Sequence, residues 1–454
     1  MSMMRMAAVV LAGGLAVAGG MRRTAVAADL AGPPPYAGDV LERTTLTGDW
    51  GGVRDEWAKQ GVTFDSSVTQ ITQGVVGGGK NARWEYGGRG DLTANFDSQK
   101  MGLWPGGFLN VELEGNWSDA VNNTTGGLNP ANTNQLFPLP VGNNVALPSL
   151  TAMQFVSHYA GAVVGKLQTV STGDMNEFAH GKGDTQFLNL AFNINPTLLV
   201  VPYSTLGAGA AILPTADPNQ ALVTAMVLSA TGKASTDGFD ALNGAIFVGQ
   251  GRVRTDFFER TGHQLLGVLY SNKAYTSMDQ RIAFEPLQER LGLAAPPALE
   301  KKRDTWAMYY NFDQFLYETD KEAGNGVGVF GRFGASAGNP NPTQYFFSIG
   351  FGGKGMIPGR NHDRFGIGYY YDRVTNPTLR TKRFGTAEFL RGEWGFEAFY
   401  NIALTQWLLL TPDVQVIGPA QKRVIAGGAA GPKSALGSYI GMATVLGVRL
   451  QVVL

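Results

Sequence analysis

Two neighbouring stretches of the chain carry opposed charges at two-residue spacing, Arg89 and Asp91 in the first and Glu112 and Glu114 in the second. On extended backbone, residues two apart share a face. An arginine fork of donors would then stand beside carboxylates that only accept. Such a wall offers charge-assisted hydrogen bonds while its opposite charges neutralise the field, which suits contact with a polar, uncharged molecule. The plainer alternative is a set of solvated wall charges. Arg252 and Arg254, with Gln250 and Asp256, form a second candidate group facing the same way, and Arg332 and Lys354 come next. Trp84, Tyr86 and Trp117 present flat rings that either stack on a ligand or, the favoured reading, anchor in a membrane interface.

Other motifs match a pattern without its context. Gly334-Ala-Ser336-Ala-Gly338 fits G-x-S-x-G but runs into Asn339-Pro340 instead of a helix. Gly326 to Gly331 fits G-x-G-x-x-G with no helix behind it, and Gly74 to Lys80 has Walker-type spacing with Asn81 where Ser or Thr is needed. His158, His180, His263 and His362 are too scattered for a metal signature, so no metal, cofactor or catalytic residue is expected.

The elements that would position the charged groups are strands. In Gly87 to Asp97, Arg89, Asp91, Thr93 and Asn95 take one parity, and Leu92, Ala94 and Phe96 take the other. After the turn Trp104-Pro105-Gly106-Gly107, Asn110, Glu112, Glu114 and Asn116 alternate with Leu109, Val111, Leu113 and Trp117. Phe365, Ile367, Tyr369 and Tyr371 alternate with Gly366, Gly368 and Tyr370, and from Ile440 to Leu454 every even position except Thr444 is apolar. A soluble sandwich alternates too. Aromatic residues near strand ends and glycines within strands favour lipid on the apolar side.

Composition narrows the class further. The chain has 454 residues, 62 of them Gly, with no Cys and only 16% charged residues. Its 36 basic and 36 acidic residues leave no basic field for nucleic acid. Mean hydropathy is −0.06, and no later apolar run reaches the 18 residues of a membrane helix. The backbone can otherwise cross a bilayer only as a closed barrel. Residues 1–27 read as a signal peptide, with an apolar stretch after Arg5 and cleavage after Ala27 in Ala25-Val26-Ala27. Removing Arg5, Arg22 and Arg23 leaves 33 basic and 36 acidic residues, a net −3. Residues 28–62 form an N-terminal segment with a short helix, capped by Asp49, carrying Trp50, Val53 and Trp57 on one face and stopped by Gly61. Its place suggests a lid or plug at the periplasmic mouth. Residues 63–454 form the barrel, large enough for 16 to 18 strands and an aqueous channel. Long turns such as 120–150 are expected outside the cell or folded inward.

The run Leu46 to Val62, LTGDWGGVRDEWAKQGV, resembles the N-terminal signature of the carbohydrate-selective porins of the OprB type. GLWPGG (Gly102 to Gly107), GHQLLGVLYSN (Gly262 to Asn272), WAMYYNFDQFLYE (Trp306 to Glu318), GVGVFGRFGASAGNPNP (Gly326 to Pro342), GFGGKGMIPGRNHDRFGIGYYY (Gly350 to Tyr371) and TPDVQVI (Thr411 to Ile417) resemble it in the same order. The terminal Leu454, where an aromatic residue is common, and the loop 123–148 depart from the pattern. The resemblance implies an all-β outer-membrane barrel of sixteen antiparallel strands in a Gram-negative bacterium. It implies passive diffusion of small neutral sugars, glucose above all, contact with outer-membrane lipid, and either a monomer or a homo-oligomer. It also implies a constriction, carried here by Arg89 and Glu112 with Asp91, Glu114, Arg252 and Arg254, and gives Trp84, Tyr86 and Trp117 a pyranose face as the ligand to stack on. The other class left open is a barrel that serves as platform for an enzyme or an adhesin.

Overall fold

The computed structural model describes residues 36–138, 145–235, 243–282, 299–377, 379–381, 385–387, 390–425 and 436–454. The expected signal peptide and its cleavage bond lie outside the described residues. Sixteen strands close into one antiparallel barrel in which each pairs with its neighbours in sequence and the last pairs with the first. They are β1 (Val62–Gly79), β2 (Trp84–Asp97), β3 (Gly107–Ser118), β4 (Val145–Ser157), β5 (Ala160–Gln168), β6 (Ser204–Ile212), β7 (Ala221–Ser229) and β8 (Ala245–Arg254). The second half comprises β9 (Gly262–Ser271), β10 (Thr305–Asp320), β11 (Asn325–Ser336), β12 (Thr343–Lys354), β13 (Arg364–Val374), β14 (Glu393–Ala403), β15 (Leu408–Gly418) and β16 (Gly441–Val453). At the seam Ser67 lies opposite Val453 and Ile71 opposite Arg449. The chain enters β1 and leaves β16 at the end where connections are short, such as 158–159 and 321–324, whereas the long connection 169–203 belongs to the other end. Outer-membrane barrels have this asymmetry, with short turns on the periplasmic side.

The alternation read from the sequence sorts the wall into two faces. Leu92, Val164, Phe247, Val268, Ile349, Ile367 and Phe396 are exposed, while Arg89, Arg332 and Arg449 are the largest fully buried side chains. A soluble fold sorts these residue types the opposite way. The exposed face is the one that meets lipid.

Two long connections fold into the lumen instead of leaving it open. Within 169–203, Phe178, Phe187 and Phe192 pack against Phe315, Phe330, Phe346, Tyr370 and Phe399 on the inner wall of β10 to β14. Phe187 stacks on Phe192 with ring centroids 4.5 Å apart. The wall gives them room through glycine: a Cβ at Gly366 would lie 2.8 Å from Phe187, and one at Gly368 would lie 2.5 Å from Phe192. These inward glycines therefore make room for an inserted loop. From the connection between β3 and β4, the backbone N–H groups of Leu128 and Asn129 donate to the Glu393 carboxylate.

The N-terminal helix, α1, spans Val53–Lys59. It differs from the expected helix in two respects. Its N-cap is Gly52 in a left-handed conformation with no side-chain cap, and the Asp49 carboxylate accepts instead from the Gly51 N–H in the preceding turn. Trp50 precedes the helix but still meets Trp57 edge to face at 6.1 Å, and both rings approach Phe64. Phe64 shares the outward parity of β1 with Val68, so α1 sits against the outside of the rim. Segments 119–138 and 169–203, by contrast, enter the barrel.

Candidate functional site

The pairing of β2 with β3 sets Asp91 opposite Glu114 and Thr93 opposite Glu112, with Arg89 opposite Asn116, one step along the same inner face. Three carboxylates thus converge, with oxygen atoms within 4.8 Å of one another. Among the described residues this is the one set with metal-ligand geometry, but a cation is already supplied by the chain. The Lys182 ammonium, carried in by 169–203, lies 2.7 Å from Glu112 and 3.2 Å from Asp91 and also donates to Glu114. Burial alone would lower its pKa, but Glu112 and Glu114 outweigh burial and hold it well above the ordinary lysine range. It therefore stays charged at neutral pH.

Arg89 completes the group. It is fully buried, with Nε 2.9 Å from Asp91 and a terminal nitrogen 2.5 Å from Asp184. Its other terminal nitrogen donates to the carbonyl of Asn134 at 2.9 Å. One guanidinium thus ties the wall to both inserted connections. The Tyr203 hydroxyl donates to Glu114. Burial first, and then the Glu114 charge, raise the pKa of this phenol well above its usual value, so it remains a donor.

Beside the group opens a polar chamber of about 360 Å³ toward the short-turn end, lined by Ser67, Asp91, Asn95, Asn110, Glu112, Lys182 and Gln451 among others. The volume corresponds to roughly a dozen waters at about 30 Å³ each. Every residue named here offers a donor or an acceptor, which matches a polyhydroxylated guest.

The remaining candidates do not gather at this point. Arg252 is buried on the inward face of β8, six strands from β2. Arg254 turns to Asp256 at 2.6 Å and to Thr261 in the adjoining short turn. Arg332 is fully buried, 2.7 Å from Asp174, and donates to the carbonyls of Phe192, Asp174 and Ala179, so it anchors 169–203. Lys354 donates to the Ala323 carbonyl in a short turn at 2.7 Å. Trp84, Tyr86 and Trp117 share the outward parity of Leu92 and Leu113, and a Cβ at outward-facing Gly88 would lie 2.3 Å from Trp117. Their rings therefore lie on the outer face of the wall, away from the chamber. Lys182, Asp184, Tyr203 and Asn134 were missed from the sequence because they lie in loops with no period. The one local hint is a lysine and an aspartate among glycines at Gly181-Lys-Gly-Asp184.

The three glycine motifs fall in strand contexts. Ser336, at the end of β11, donates to the Thr343 carbonyl, while Gly326 to Gly331 lies within β11 and Gly74 to Gly79 within β1.

A structure of Pseudomonas putida OprB at high pH superposes with a TM-score of 0.72 at 17% identity, covering 91% of this chain and 99% of that one. The low-pH structure of the same protein gives 0.54 at 16% identity over the same shares. At such identities the likeness establishes the shared barrel fold. No curated protein sequence matches the chain. The profile described as Carbohydrate-selective porin, OprB family, matches residues 83–454. That family consists of porins and not of enzymes, and the reading of the barrel as an enzyme or adhesin platform finds no support. With the match spanning most of its length, this outer-membrane β-barrel of the Gram-negative type belongs to the carbohydrate-selective porin family, OprB.

Proposed function

We propose that the chain lets monosaccharides of glucose size diffuse passively into the periplasm, with the polar chamber as the sugar's resting place next to the constriction. The observation that carries this reading is the chamber lining, where donors and acceptors surround the Lys182 and Arg89 group. A sugar has no net charge to steer it, so selectivity must come from hydrogen bonds that replace its water. Asp91, Glu112 and Lys182, which line the chamber, are the groups positioned to touch the sugar, and Arg89 and Glu114 hold them in place. Arg252 and Arg254 act at most on the approach from β8. The outer face rests in outer-membrane lipid, and the barrel works alone or as a homo-oligomer. Residues 1–27 are removed on export, leaving 28–62 as the N-terminal segment and 63–454 as the barrel.

Planar-bilayer recording tests the channel. Added glucose should reduce ion current in a saturable way, and liposomes carrying the protein should swell faster in monosaccharide than in trisaccharide. Glucose passage that depended on an energy source, or no conductance at all, would refute it.

A further inference from the structure

A second cavity, of about 170 Å³, adjoins the polar chamber on the side of β7 to β9 and is lined by Leu136, Ile194, Leu198, Met226, Val248 and Leu269, among others. The two share Gln168. Tyr203 stands at the boundary with its hydroxyl on Glu114 and its ring on the apolar side, stacked on Phe137 at a centroid distance of 4.1 Å. Polar side chains are few in the second cavity: the Tyr309 hydroxyl donates to Gln250 at 2.8 Å, and Asp174 is paired with Arg332 at 2.7 Å. Its size decides what it can take. An apolar protein cavity of about 150 Å³ stays dry and binds benzene, and at an interior packing density of about 0.75 a 170 Å³ cavity has room for one aromatic ring or a fused pair but not for three fused rings.

We propose that this apolar cavity seats the aglycone of an aryl glycoside whose sugar ring occupies the polar chamber, with Tyr203 and Gln168 at the glycosidic junction. The inference rests on the sugar-channel reading and extends it to a ligand class with one polar and one apolar part. Channels formed by the full-length mature protein in planar bilayers are challenged with glucose, phenyl β-glucoside, anthracenyl β-glucoside and phenol. Phenyl β-glucoside should half-block the current at a concentration roughly tenfold below that of glucose, equivalent to about 1.4 kcal/mol. The anthracenyl compound, too large for the cavity, should fall back to the glucose level. Val248→Phe should abolish the phenyl advantage and retain the glucose block. Should that variant not assemble, the size series in the unaltered protein decides. Equal block by glucose and phenyl β-glucoside would overturn the aglycone site alone. Phenol blocking as well as phenyl β-glucoside would overturn the two-part site. Absence of block by every glycoside would overturn the channel reading beneath it.

Discussion

At the residue scale, the balance of charge around Lys182 sets the behaviour of the constriction. Arg89 and Lys182 supply two positive charges against four carboxylates, Asp91, Glu112, Glu114 and Asp184, for a formal sum of 2 − 4 = −2. The pore should therefore prefer cations mildly. Arg89→Ala removes one of two positive charges, so the cation preference should rise several-fold, read as a shift in reversal potential under a salt gradient. Lys182→Met leaves three close carboxylates without their shared cation, a loss of the order of 3–5 kcal/mol for a broken buried pair. Its sugar block should weaken more than that of Arg254→Ala, whose partner Asp256 is at the rim and half exposed. Equal effects from the two variants would remove Lys182 from the site.

At the element scale, the strands were legible and the inserted loops were not. Alternation from Arg89 to Asn95 and from Asn110 to Asn116 placed both inner faces correctly, because a buried lumen and a lipid band impose period two on every strand. The segment 169–203 has no period. Its fold follows from distant partners, such as Glu397, whose carboxylate accepts the Leu188 and Asn189 N–H groups, and Arg449, which donates to the carbonyls of Gly183 and Gln186. A single sequence does not announce contacts more than 200 residues apart. The helix cap failed for a local reason: three residues in left-handed conformations, Trp50, Gly51 and Gly52, separate Asp49 from the helix it was expected to cap. Arg332→Met would take from Asp174 its paired cation, leaving it only the Asn195 and Asn311 donors, and would remove the guanidinium from three loop carbonyls inside the barrel. Segment 169–203 should then become cleavable by protease in the assembled protein, while the barrel keeps the slow gel mobility change on heating that marks a closed sheet. A loop as resistant as in the unaltered protein would contradict its role as anchor.

For the whole molecule, the composition follows from the architecture. Charge is scarce because half of every strand faces outward, and the charge present is concentrated where the lumen buries it, as at Arg89, Arg332 and Arg449. Export fits the same scheme. The mature chain should begin at Ala28 and carry a net −3, which intact mass and N-terminal sequencing of the outer-membrane form would check. An N-terminus retaining Arg22 and Arg23 would show that the apolar stretch remains attached.

The seam between β1 and β16 is also locked from outside the sheet. Arg54 of α1 donates to the Phe64 carbonyl at 2.6 Å and to the Leu454 carbonyl at 3.2 Å, and its guanidinium lies 4.1 Å above the Tyr36 ring. The bond to Leu454 joins positions 400 residues apart. Closing a contact of such separation carries a loop-entropy cost that falls once the intervening chain is ordered. In time as well as in space, Arg54 therefore acts at the end of assembly: a clasp that fastens only after the last strand has arrived, and that slows the reopening of a finished barrel at its one non-sequential joint.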